Sequence, residues 1–521
     1  MEQNGPYART RNSLRNSFVA VGLQVMALLI GFWSRRIFLN HLGTEVLGLN
    51  TTATSLLSFL NLAELGIGSA IAVTLYKPIF NNDRQTIKEI VALQGWLYRI
   101  IALIVLGGSA VLMFFFPLIF SKTPLPIWYA YASFGVLLYS SLLSYFFNYK
   151  QILLDAHQLN YKIQLSTKLI ANFKLIAQAF AVKFLPDGYI WWLVLEFVFA
   201  TITAIILSGT VNKTFPYIKE KVKGPSLLRH KYPDVATKVK QLFVHKIGGF
   251  VVGQTIPLII YAYATLTLVA KYGNYLIFTN SLNSILSACF MGLVASVGNL
   301  VTEGNKELTI KVFRELYSIR FFMTAVCCIC LWYLVDPFIS VWIGQDYILD
   351  RSTVLLIIIV FYIQNTRSAV ETFISAHGLF RDIWAPLVES ALCLSLSILL
   401  GHHHGINGIL TGLIISQLII VKTWKPIFLF KCGLKEPLSI YCGITLKHLV
   451  MGAVTLGIMD FIASRITFDI SASFLNFFIY ACPFFILTCA IMFVLLYAGE
   501  KGMRGFVIRM KNALKSDSTS E

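Results

Sequence analysis

Apolar stretches of about twenty residues, separated by short polar connections, recur from one end of the chain to the other. Twenty helical residues rise about 30 Å, the thickness of a bilayer's hydrocarbon core. The pattern predicts about 14 membrane-spanning helices. In the first part of the chain they fall at 18–33, 46–75, 93–116, 127–147, 163–184 and 189–207. The later ones fall at 247–269, 275–300, 321–335, 354–374, 383–400, 409–421, 449–463 and 474–497.

A few charges interrupt this pattern. Arg35 and Arg36 end the first stretch, Glu64 lies midway along the second, Arg99 sits in the third and Lys174 interrupts the fifth. A charge at the centre of a bilayer costs at least about 2.5 to 3.5 kcal/mol, so it is kept where a cavity or a partner uses it. Glu196, Arg367 with Glu371, and Glu389 raise the same question; Arg367 and Glu371 are four apart on one helix face and can satisfy each other.

Composition agrees with the pattern. With 57% apolar residues, 13% charged and a mean hydropathy of +0.71, the chain is excluded from the ordinary soluble class. A net charge of +18 would suit a nucleic-acid binder, but the Lys and Arg residues are scattered among short loops rather than gathered on one face, and no nucleic-acid partner is expected. Roughly four fifths of them fall in alternate connections, which the positive-inside rule assigns to the cytoplasm. Both termini are then expected to be cytoplasmic in a multi-pass membrane protein. The nine cysteines lie mostly within or beside spans and read as apolar thiols.

The longest polar connection, 212–239, holds three prolines and many lysines. It divides the chain into an N-terminal six-helix lobe at 1–211, a cytoplasmic linker at 212–239 and a C-terminal six-helix lobe at 240–435. Two additional spans follow at 436–498, then a basic tail at 499–521 whose amphipathic mix suits the inner membrane surface. Gly48 and Gly273 occupy matching places in a faint self-similarity between the halves. Six spans is an even number, so such a repeat would be parallel, about an axis along the membrane normal.

The run Ser34-Arg35-Arg36-Ile37 through Leu42-Gly43 and Gly48-Leu49, then Leu62-Ala63-Glu64-Leu65-Gly66-Ile67-Gly68 and Leu75-Tyr76-Lys77-Pro78, closely resembles bacterial O-antigen and capsular polysaccharide flippases. These are polysaccharide transporters of the multidrug, oligosaccharidyl-lipid and polysaccharide exporter superfamily. The close match covers roughly residues 12 to 90, and the span pattern covers the rest. The resemblance implies an all-α membrane protein with two six-helix lobes in a V-shaped arrangement plus two C-terminal helices, working by alternating access. It implies transfer of an undecaprenyl diphosphate-linked oligosaccharide from the cytoplasmic to the periplasmic leaflet, with a polysaccharide polymerase and chain-length regulator as partners; because no ATP site is visible, a proton, sodium or membrane-potential gradient is expected to drive it. Gly253-Gln254-Thr255, at the start of span seven, departs from many relatives in having no acidic residue, which argues against a coupling carboxylate there.

The chemistry of such transport can be set against the residues. An anionic diphosphate needs a cationic, wet cavity, in which arginine offers a planar fork and lysine a movable point charge. Arg35, Arg36 and Lys174 are the leading substrate-binding candidates, with Arg99, and with Lys246 at a cytoplasmic entrance beside His245. Glu64 should pair with Arg35, Arg36 or Lys174 or be protonated, as a charge partner or an ion-coupling group. No cofactor is expected: there is no nucleotide-binding loop, and His402-His403-His404 lacks the Cys or carboxylate that would complete a metal site. An ion-coupled multidrug or cation exporter of the same superfamily would favour anionic and aromatic cavity walls. A membrane-embedded polysaccharide polymerase would need a large polar loop outside the membrane, where the connections are short, with only 336–351 of moderate length. An enzyme is therefore not expected.

Overall fold

The computed structural model describes residues 6–518 except 65–66, 122, 158, 220–223, 225–227, 234, 236–238, 240–252, 254, 291–296, 298–299, 302–303, 380–381 and 467. Lys246 and its neighbour His245 lie outside the described residues. The described chain is built of helices, as the apolar periodicity requires. It divides into two compact units, Met1–Gly273 and Asn274–Glu521. This division falls one span beyond the polar connection at 212–239.

The first unit begins with α1 (Pro6–Leu60), which contains the first span and much of the second. Gly43 adopts φ 79° and turns the chain between them. Only glycine adopts that conformation without a Cβ penalty. The second span then breaks: Asn61–Glu64 forms a 3₁₀ turn, and α2 (Ile67–Phe80) continues it. Next come α3 (Arg84–Phe114), α4 (Trp128–Phe146), α5 (Ile170–Phe184) and α6 (Gly188–Thr214). The Asp83 carboxylate caps α3 by accepting from the Thr86 amide at 3.0 Å. A buried amide ties three of these helices together: Asn50 Oδ1 accepts from Ser133 at 2.6 Å and from Tyr189 at 3.0 Å.

Helix α7 (Leu266–Phe290) crosses the division between the units. Its first turn touches α1 directly, because a Cβ built on Gly48 would fall 2.1 Å from the Leu266 carbonyl oxygen. Small residues at helix crossings let backbones meet in this way in membranes.

The second unit continues with α8 (Lys306–Ile343), α9 (Arg351–Ala376) and α10 (Trp384–Gln417). Helix α10 folds back at Gly405, φ 54°, immediately after His402-His403-His404. A Cβ on Gly408 would meet the Leu400 carbonyl oxygen at 2.0 Å, so the two arms approach backbone to backbone. After α10 the helix runs on through two π-helical stretches, Leu418–Trp424 and Leu429–Leu434. Phe313 of α8 packs edge-on against Phe373 of α9 and Phe430 at centroid distances of 5.2 and 5.3 Å.

Two expectations need correction. Asp336 belongs to α8 rather than to an outside loop, since α8 persists to Ile343, and the connection shrinks to the segment before Arg351. Lys422 and Lys425, expected in an inside loop, are helical. Lys425 is held by Asp382 at 2.7 Å, and this pairing allows the helix to continue where the apolar run ends.

The last spans, α11 (Ser439–Ser464) and α12 (Phe474–Gly499), attach to α8 through buried polar contacts. His448 stacks on Phe321 at 4.5 Å, and its Nε2 lies 3.2 Å from Ser318 Oγ. Ser318 in turn donates to Glu500 at 3.0 Å, so the imidazole proton in this contact belongs on Nε2. The terminal helix α13 (Lys501–Ser518) then packs along α8, with Arg509 bonded to Glu315 at 2.9 Å. Gly502 makes this possible, because a Cβ there would lie 2.5 Å from the Arg314 carbonyl oxygen.

Counting the arms of α1 and α10 separately and joining the broken second span reproduces the expected span order wherever the residues are described. Eight described helices are long and apolar enough to cross a membrane as they stand, and nine if the bent pair Trp128–Phe146 with Asn148–Ala156 is one span.

Candidate functional site

Charged and polar groups at membrane depth gather in three places, two in the first unit and one in the second. The first is the break in the second span. A discontinuous helix frees backbone groups that an unbroken one would satisfy, and transporters use such breaks to hold ions and substrates. Glu64 ends the 3₁₀ turn, and its carboxylate accepts from Tyr98 of α3 at 2.9 Å. Tyr145 of α4 donates to Asn61 Oδ1 at 2.8 Å, and Asn61 donates to Ser141 at 2.9 Å. The break is therefore held by hydroxyls and an amide. The expectation that Glu64 pairs with Arg35, Arg36 or Lys174 is corrected to this extent: its carboxylate accepts from a tyrosine, because α3 and α4 supply hydroxyls to the break.

The second place is Lys174. Its ammonium lies 2.6 Å from Glu196 of α6, and Gln178 donates to the other carboxylate oxygen at 3.0 Å. A cavity of about 190 Å³ adjoins this pair, lined also by Ser144, Asn148, Thr167 and Thr203. Asn148 Oδ1 is buried without a protein partner, and Leu165–Leu169 forms a π-helical turn beside it. Both features suit a small polar chamber, since buried amides need water or a ligand and π turns recur at functional sites.

The other sequence candidates are dispersed. Arg35 is half-buried, and its guanidinium lies against Gly273, where a Cβ would sit 3.4 Å from Nη2. Arg36 and Arg99 are exposed. The structure brings neither of them to the Lys174 pair.

The third place is in the second unit and includes residues that the sequence reading placed in loops. Arg367 bonds Glu371 at 2.8 Å and approaches Glu389 at 3.8 Å. The expected pairing of Arg367 with Glu371 is present. Lys422 donates to the Thr366 hydroxyl and lies 5.0 Å from the Tyr362 ring centroid. Arg320, nearly buried, sits 4.0 Å over the Phe290 ring and within electrostatic range of Glu371. Three cations thus face two carboxylates, and no carboxylate touches Lys422 among the described residues. Arg367 is sixteen residues past Arg351, and Lys422 seventeen past Gly405, about 24 and 26 Å along their helices, toward the end of the spans that carries the basic loops.

No group of His, Cys, Asp and Glu among the described residues could hold a metal ion.

Solved structures with a similar fold include transporters. Over 93% of this chain and 98% of the other, it matches the inward closed conformation of the lipid II flippase MurJ with a TM-score of 0.64 and 15% identity. It matches an inward-facing MATE-family multidrug resistance transporter of the MOP superfamily with a TM-score of 0.62 at 11% identity, over 80% of this chain and 99% of that one. A Vibrio cholerae MATE transporter, VcmN, matches at 0.51 and 14% identity over 82% and 99%. No protein-family model and no curated protein sequence matches the chain significantly. The chain is an all-α membrane protein with the fold of these transporter structures.

Proposed function

We propose that the chain is a flippase that moves an undecaprenyl diphosphate-linked oligosaccharide, an O-antigen or capsule repeat unit, from the cytoplasmic to the periplasmic leaflet of the bacterial inner membrane. The observation that carries this reading is the surplus of positive charge around Arg320, Arg367 and Lys422. A cation kept at this depth against a hydroxyl and an aromatic ring is poised for an anion, because a permanent carboxylate partner would have neutralised it. Its position also fits: a diphosphate carried in the cytoplasmic leaflet would enter at the basic end of the spans, where this cluster lies. Arginine and lysine together suit a diphosphate, one by its bidentate fork and the other by a mobile ammonium.

In the first unit, Lys174 with its chamber, Arg35 and Arg36 would form a separate site for the head group or its sugars. Glu64 at the helix break is the candidate for a coupling proton or sodium ion. Handover to a polymerase and its chain-length regulator would follow on the far side.

The test uses a strain deleted for the protein and complemented with Lys422→Gln or Arg367→Gln. Each variant should insert normally, lower surface polysaccharide at least tenfold and accumulate the lipid-linked intermediate. Wild-type polysaccharide from both variants would exclude this cluster as the head-group site.

A further inference from the structure

A second charged cavity lies at the basic end of the second unit, apart from the cluster assigned to the carrier lipid. Its volume is about 440 Å³, and it opens between the first turns of α8, α11 and α13. Lys311, Arg314 and Lys501 line it together with Glu307, Glu315 and Glu436. Glu315 is bonded to Arg509. The other five form no ion pair within 4 Å among the described residues, although Glu307 and Lys311 are spaced one helical turn apart on α8. The Arg314 Nε is buried without a hydrogen-bond partner.

Opposite charges that share a cavity without meeting leave room for a ligand that carries both signs. Ile310 and Ile440 add apolar surface to the same wall. Helix α12 ends at Gly499, two residues before Lys501, so the cavity sits where a span emerges from the bilayer. We propose that it binds a phosphoethanolamine headgroup of a membrane phospholipid: the phosphate on Lys311, Arg314 and Lys501, the primary ammonium on Glu307 and Glu436, and the acyl chains along the exposed apolar face of α11 that carries Leu446 and Val450. A primary ammonium donates three hydrogen bonds to such carboxylates, and a trimethylammonium donates none. The site would act as a lipid clasp between the terminal helix and the transport unit, independently of the carrier lipid proposed above.

The experiment measures binding of phosphatidylethanolamine, phosphatidylcholine and phosphatidylglycerol to the purified full-length protein by native mass spectrometry, with soluble glycerophosphoethanolamine as competitor. Phosphatidylethanolamine should bind about fivefold more tightly than phosphatidylcholine, the ratio that one exposed charge-assisted contact supplies. Glu436→Gln or Glu307→Gln should remove that preference, and Lys311→Gln should weaken all three lipids. These side chains are exposed or half-buried, so the variants should fold. A preference for phosphatidylglycerol, or a phosphatidylethanolamine preference unaffected by every variant, would overturn the proposal. Equal occupancy by the soluble competitor would overturn the lipid assignment in favour of a cytosolic phosphoamine.

Discussion

Lys174 and Glu196 face each other at 2.6 Å across α5 and α6, with Gln178 holding the second carboxylate oxygen. The lysine that interrupts the fifth span is thus neutralised within its own helical unit. Its cavity-facing position remains available to a ligand, but the pair must be opened or shared for the charge to act.

Removing one member should be worse than removing both. Lys174→Met leaves a mostly buried carboxylate unpaired, at a cost of about 3 kcal/mol or more. The double variant Lys174→Met with Glu196→Leu should regain most of that stability in a thermal unfolding assay in detergent. If Lys174 also contacts the transported head group, the double variant will be stable and still flip poorly. Recovery of both properties would make the pair purely structural.

Glu64→Gln keeps an acceptor for Tyr98 while abolishing the charge. The protein should fold as before, since the helix break retains Asn61 with Ser141 and Tyr145. Flipping in sealed vesicles should lose its response to an imposed proton or sodium gradient. A variant that responds as the wild type does would remove Glu64 from coupling.

Gly48→Ala should test the crossing of α1 with α7. The new methyl would strike the Leu266 carbonyl, and overpacking of this kind costs typically 1 to 3 kcal/mol. We expect a lower unfolding temperature, whereas Gly43→Ala should be destabilising through its φ of 79° alone.

Asp83 supplies a pH-dependent element outside the spans. Its hydrogen bonds from the Thr86 hydroxyl and amide hold its pKa below the usual value of 3.8. A carboxylate with a lowered folded pKa stabilises fully above its unfolded pKa and loses that contribution as pH falls through the folded one. The stability difference between wild type and Asp83→Ala should therefore be constant near neutrality and shrink in acid below about pH 3.8. Asp83→Asn, which caps without titrating, should show no such change.

The helices were largely legible in the sequence because lipid demands long apolar runs and nothing else produces them. Their ends were less so. Hydropathy falls at Lys422-Thr423-Trp424-Lys425, yet the helix continues, because Thr366 and the Tyr362 ring on α9, and Asp382 just before α10, receive the charges. The return of apolar residues at Ile427 to Phe430 was the available signal. Arg320 was hidden for the same reason, at the margin of a span that extends well beyond its apolar centre. Partners across helices were the least legible. Arg367 and Glu371 could be paired from their spacing, but Glu64 meets Tyr98, and Asn61 meets Tyr145, only through packing that no local pattern encodes. The attachment of the last two spans through His448, Ser318 and Glu500 belongs to the same class.

The π-helical stretch at Leu418–Trp424 has a bearing on how this protein can be compared with its structural neighbours. Each π turn accommodates one residue more than an α turn, so every side chain after it is rotated about the axis relative to an uninterrupted helix. Lys422 lies within that stretch and donates to Thr366. Equating it with a position in a neighbour whose span lacks the insertion would place the wrong side chain on the wall, and the deletion of a single residue here should swing the ammonium away from the cluster while leaving the span otherwise intact.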